Sequence, residues 1–139
     1  MIKIEQDREP EIDLQQVSSQ GIGKGRWKIG WQIKNSGAYP LAIFSARLPH
    51  GQFKAGEQQF DPELILAPGQ CRQFQADVRC DEPTGEVTEN AFVIFSVGWL
   101  GESWRVFARV RVTVAPNGEP VATTESATTQ RIGFSGVAS

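Results

Sequence analysis

The chain has 139 residues, 40% hydrophobic and 22% charged, with two cysteines and a formal net charge of −2. That length is one domain's worth, enough to bury a core without a metal or disulfide staple. The acidic balance argues against a nucleic acid or an anionic membrane as partner of the whole chain, because both need a basic footprint, although a local basic row stays compatible with it.

No apolar run approaches the roughly 18 residues needed to cross a bilayer. The opening MIKIEQDREPEIDLQQ is charged and has no apolar leader segment, so a cytoplasmic location is expected. Helix periodicity with caps is missing, and period-2 alternation recurs between turn residues. Ile12, Leu14 and Val17 mark a first strand, whose shift from even to odd inward positions after Gln15 predicts a bulge. Ser18 to Gly25 reads as a loop. Residues 26–35 alternate, with Trp27, Ile29, Trp31 and Ile33 inward, and Asn35-Ser36-Gly37 is a turn by composition. Leu41 to Leu48 is the next strand, with Ala42, Phe44, Ala46 and Leu48 on one face; Pro49-His50-Gly51 ends it.

Residues 52–62 read as irregular, followed by a short strand at Leu64, Ile65 and Leu66. Ala67-Pro68-Gly69-Gln70 predicts a type II turn by its Pro-Gly centre. In 71–80, Phe74, Ala76, Val78 and Cys80 point inward, while Arg72 lies at the strand mouth, where its head reaches water. Cys71 and Cys80 stand at opposite ends of this strand, about 30 Å apart by strand rise. A bridge needs Cα atoms within about 7 Å, so two free thiols are expected. Asp81 to Glu89 forms an acidic loop.

Residues 90–114 read as a long hairpin closed by Gly101-Glu102 in a type II′ turn. That turn pairs Trp99 with Trp104, Val97 with Val106, Ile94 with Arg109 and Phe92 with Arg111. One face is wholly apolar: Ala91, Val93, Phe95, Val97 and Trp99, with Trp104, Val106, Ala108, Val110 and Val112. The other mixes Phe92, Ile94, Leu100 and Phe107 with Arg105, Arg109 and Arg111. Residues 116–131 are rich in Pro, Thr, Ser and Ala and read as an extended linker or disordered tail. Ile132 and Phe134 then restore a small apolar patch that could dock on the domain or on a partner.

These segments predict an all-β, Ig-like sandwich of two sheets and about seven antiparallel strands over residues 1–115, with an extended C-terminal tail over 116–139. The order WQIKNSGAYPLAI, RLPHG, LILAPGQCRQFQADV resembles bacterial Ig-like modules of the CARDB and fibronectin-III-like kind. That resemblance covers residues 12–114. It implies a non-catalytic adhesion, spacer or assembly role, in a family often extracellular; the charged opening of this chain leads us to expect a departure from the family there, with no leader.

Catalytic signals are sparse. A nucleophile-base pair would have to use His50, the single histidine, and a histidine in a tight turn is ordinarily just solvated. Gly21-Ile22-Gly23-Lys24-Gly25 lacks the GK[ST] ending of a phosphate loop and leads into a strand. Asp81, Glu82, Glu86 and Glu89 crowd one loop as a hard-cation site would, without EF-hand spacing; Asp61 and Glu63 carry no stronger signal. No zinc, haem or other cofactor motif is present. The mixed hairpin face is the strongest lead. Phe92, Ile94, Arg105, Phe107, Arg109 and Arg111, with Ile132 and Phe134, are the candidate contacts for a protein partner or self-association. The plainer reading is an outer face satisfied by arginine stems packed on Phe107. A carbohydrate partner is the alternative, should Trp99 and Trp104 be exposed.

Overall fold

The computed structural model describes residues 8–132, and they form an all-β fold. Eight strands follow in chain order: β1 (Ile12–Gly23), β2 (Arg26–Asn35), β3 (Leu41–His50), β4 (Phe53–Leu66), β5 (Cys71–Arg79), β6 (Val87–Trp99), β7 (Glu102–Val114) and β8 (Pro120–Ile132). They join in one curled antiparallel sheet of order β1-β2-β5-β4-β3-β6-β7-β8. The sheet curls because its inward positions are apolar on nearly every strand. Trp31, Phe53, Phe95, Ile43 and Val97 are fully buried inside it. Edge-to-face rings tie distant strands together: Trp31 meets Phe53 at 6.1 Å and Phe74 meets Phe95 at 5.9 Å.

The outermost strands, β1 and β8, approach each other without a backbone ladder. Side chains take its place. The Gln16 amide donates to the Pro120 carbonyl at 3.1 Å, and its oxygen accepts from the Ala122 N–H at 2.6 Å. Thr124 donates its hydroxyl to the Leu14 carbonyl at 2.8 Å, and the Ser19 hydroxyl meets the Glu119 carboxylate. Edge groups that would otherwise invite another chain are thereby occupied.

Several sequence expectations need correction. The sheet has eight strands rather than about seven, because 120–132 is the edge strand β8 and not a linker or tail. Its threonines are β-branched and suit a half-exposed strand, and a strand buried on one face only needs few large apolar residues. The loop expected over 18–25 is mostly strand, since β1 runs to Gly23 beyond a bulge at Val17; the parity shift predicts a bulge there, but Val17 is exposed rather than inward. Of residues 52–62, read as irregular, 53–62 belong to the long strand β4, and only Gln52 lies in the turn before it. In β3 the ladder slips between Ile43 and Ser45, so Leu41 and Ile43 face inward, then Ala46 and Leu48, and Phe44 is left exposed.

The hairpin turn is Leu100-Gly101, not Gly101-Glu102, with Trp99 paired to Glu102 and Val97 to Trp104. Both turn residues have positive φ, 49° and 77°, the signature of a type I′ turn. The register moves by two residues, so every inward residue stays inward and only cross-strand partners change. The Pro68-Gly69 turn forms as read, closed by the Gln70 N–H donating to the Ala67 carbonyl at 2.9 Å.

Both cysteines are free, Cys71 exposed and Cys80 buried. Burial pushes the Cys80 thiol above its ordinary pKa, and the nearby Glu82 and Asp81 carboxylates add to the rise. Iodoacetamide at mildly alkaline pH should therefore add one adduct to the native protein, on Cys71, and two after denaturation. Peptide mass mapping reads this directly; a native adduct on Cys80 would show that its strand end opens.

Candidate functional site: the outer face of β3, β6 and β7

Direct cross-strand partners share a face, so the register places each candidate residue. Phe92 lies opposite Arg109, Ile94 opposite Phe107 and Ser96 opposite Arg105. These replace the expected pairs Ile94–Arg109 and Phe92–Arg111. On the other side of β6, Ile94 pairs with Arg47 of β3. The result is an apolar spine: Phe92 meets Phe107 edge-on, with ring centres 6.4 Å apart, and Ile94 is buried beside them.

Most of the arginine row is neutralised by the chain itself. Arg111 Nε sits 3.3 Å from Glu89 on β6, and Arg109 Nε lies 4.0 Å from Glu125 on β8 while Arg109 Nη1 donates to Asn90 at 3.5 Å. Arg105 is exposed and has no ion-pair partner among the described residues. Exposed pairs of this kind contribute little stability, so the arginines keep their capacity to re-pair with a partner's carboxylates.

A second patch, of which the sequence reading named only Leu100 and Ile132, lies on the same face near the hairpin tip. Ile132, Ser103, Gly98, Ala42 and Ile65 form one continuous cross-strand row over β8, β7, β6, β3 and β4. Its middle is low because three small residues stand between two isoleucines. Phe44 folds down onto Gly98, where a Cβ would sit only 2.9 Å from its ring tip. The hollow above has a volume of about 370 Å³ and reaches Pro40, Trp99 and Leu100. Phe44, Ile65 and Leu100 are 37%, 51% and 54% exposed, large values for apolar side chains gathered in one place. Tyr39, also exposed, packs its ring 6.0 Å from that of Trp99. Only the bulge that flips Phe44 outward creates this cluster, and simple alternation hides it.

Ile132, half-buried, thus belongs to the outer face through Ser103, whereas Phe134 lies outside the described residues. Trp99 and Trp104 are buried and meet edge-on at 5.7 Å, so the stacking platform that a sugar would need is turned into the core. Arg131 covers Trp104 from outside, 5.8 Å above the ring, and is itself held by Glu102 at 3.2 Å. Trp31 is fully buried, and Trp27 is half-buried with its indole N–H donated to the Cys80 carbonyl at 3.2 Å.

His50 Nδ1 accepts the Gln52 backbone N–H at 3.1 Å, a bond internal to the turn. Among the described residues no group of three or more His, Cys, Asp or Glu is placed to hold a metal ion, and Glu89 of the acidic segment is engaged with Arg111.

No family model matches the chain, and no curated protein matches it. Among solved structures it is similar to one described as "X-ray structure of Northeast Structural Genomics Consortium target SoR45". The identity is 11% and the TM-score 0.32, over 91% of this chain and 87% of that one. A likeness of that degree carries neither a family nor a function.

Proposed function

We propose that the chain is a non-catalytic protein-interaction module that binds through the outer face of β3, β6 and β7. The observation carrying this reading is the exposed cluster of Phe44, Ile65 and Leu100 around a hollow floored by small residues. It continues into the Phe92–Ile94–Phe107 spine and is rimmed by Arg105 and Arg109. An apolar centre with an arginine rim is the composition of a binding hot spot.

Leu100 adds an independent argument. It holds a left-handed backbone, φ 49°, at a turn position that Asn, Asp or Gly fills without strain. Folding gains nothing from a leucine there that is more than half exposed; a partner that covers it would gain an apolar anchor. The partner this face fits is a protein surface with an apolar ridge and flanking carboxylates, including a second copy of the chain.

The domain itself is read as an Ig-like sandwich. One layer is β1-β2-β5 and the other β4-β3-β6-β7-β8. What supports this is the seam between β4 and β5, where a single residue pair, Lys54–Arg79, joins the two groups, and the ring contacts that bridge them through the core.

Phe44→Asp tests the function. The side chain lies on the surface, so the variant should keep its fold and melt within a few degrees of the parent. It should lose self-association in light scattering, or lose partners captured by the parent protein. Capture undiminished in Phe44→Asp and in Phe107→Asp alike would refute this face as the site.

A further inference from the structure

A different surface carries a separate signal. Arg26 of β2 pairs directly with Arg79 of β5, and Arg79 pairs directly with Lys54 of β4. Three cations therefore stand side by side on one face of three adjacent strands, spanning about 10 Å at the usual strand spacing. Like charges directly opposite each other destabilise a sheet. The repulsion here falls where the sheet is weakest, because Lys54–Arg79 is the only ladder pair between β4 and β5.

Three arginines elsewhere do meet carboxylates of the chain: Arg109 meets Glu125, Arg111 meets Glu89 and Arg131 meets Glu102. The cation row has no such partner, since none of Arg26, Arg79 and Lys54 is in an ion pair among the described residues. Two hollows flank it, of about 370 and 320 Å³, and Arg26 and Arg79 line both. Lys24, from the β1–β2 turn, adds a fourth cation to the second. Asp77 lines the first hollow, and Asp81 and Glu82 line the second. Among the described residues, none of these acids is in an ion pair with Arg26, Arg79 or Lys54.

The geometry points to an anion-binding site at Arg26, Arg79 and Lys54 that takes a linear chain of phosphate groups, such as a di- or triphosphate. Guanidinium forks match phosphate oxygens in pairs, and a row of three cations matches successive phosphates better than a single compact anion. Such a ligand would replace repulsion across the β4–β5 seam with attraction. Because it binds the folded state, it should also raise the melting temperature.

The test uses the full chain at low salt with inorganic tripolyphosphate as probe, followed by calorimetry and thermal melting. Orthophosphate and sodium chloride at matched ionic strength serve as comparisons. Tripolyphosphate should bind and raise the melting temperature well beyond either comparison. Arg79→Gln should weaken binding on the order of tenfold or more, the usual size for a lost charge-assisted contact. In plain buffer it should melt no lower than the parent, because a like charge has been removed; a merely structural Arg79 would give the opposite sign. Arg26→Gln should repeat the pattern if Arg79→Gln fails to fold, and Lys34→Gln, at the far end of β2, should bind as the parent does. ATP binding equal to tripolyphosphate would assign recognition to the phosphate chain alone, and tighter ATP binding would assign a nucleotide. A melting rise matched by sodium chloride, or unchanged affinity in both Arg79→Gln and Arg26→Gln, overturns the site.

Discussion

Val97→Asp should abolish folding, leaving a chain without a cooperative thermal transition and without the dispersed amide spectrum of a β-protein. Val97 has no exposed surface and lies on β6 between Ile43 of β3 and Trp104 of β7. A carboxylate placed there has neither water nor a cation to meet, and the backbone groups around it are committed to ladders. The loss is at least about 4–5 kcal/mol, comparable with the whole stability of about 5–15 kcal/mol expected of a domain. Phe107→Asp is the matched control: its position on β7 faces outward, half-buried against Phe92. It should fold, with a loss of about 1–2 kcal/mol from the ring contact and the covered apolar area. Were Phe107→Asp to unfold while Val97→Asp melted normally, the inside and outside of the hairpin would be exchanged, and the proposed interface would be lost with them.

That pair of variants also shows what alternation in a sequence can and cannot reveal. Parity alone separates Val97 from Phe107, because side chains alternate strictly along an unbroken strand, and the ten residues read as the inner hairpin face are all buried. The partner of each residue depends instead on the turn. Gly101 followed by Glu102 suggested a glycine-first turn, whereas the chain places Leu100 in the left-handed region and turns one residue earlier. Moving each turn residue by one shifts the register by two, an even number, so the faces survive while each pair changes. Where a bulge intervenes, parity misleads outright. The slip between Ile43 and Ser45 turns Phe44 from an expected core residue into part of the candidate site. No local composition marks that slip, because it is fixed by what β3 must match on both sides, β4 and β6. Strand β8 was hidden for a related reason: an edge strand closed by Gln16 and Thr124 needs polar residues, and polar residues without large apolar neighbours read as tail.

Asn35→Ala should cost about 2–4 kcal/mol, a large loss for removing a few polar atoms. Asn35 ends β2 and is 1% exposed. Its Nδ2 donates to the carbonyls of Tyr39 at 2.8 Å and Leu66 at 2.9 Å, and its Oδ1 accepts the Gly37 N–H at 2.9 Å. One side chain thus closes the 36–39 turn on itself and fastens it to the end of β4. Truncation strands the Leu66 carbonyl in a residue that is fully buried, and each such unsatisfied group costs about 1–3 kcal/mol. Asn35→Asp should be worse at neutral pH despite its near-identical shape. It keeps the acceptor for Gly37 but points a second oxygen at two carbonyl oxygens, and it buries a charge. Both effects favour the protonated acid, so the introduced carboxyl titrates above its unfolded value of about 3.9. The sign follows: a group whose folded pKa is raised contributes its stability at low pH and loses it as pH rises through the folded value. The gap between Asn35→Asp and the parent, read from urea midpoints at each pH, should therefore be smaller near pH 4 than at pH 7, while the gap for Asn35→Ala stays constant. A pH-independent gap for Asn35→Asp would mean that the turn opens to water and that the amide is not the clasp described here.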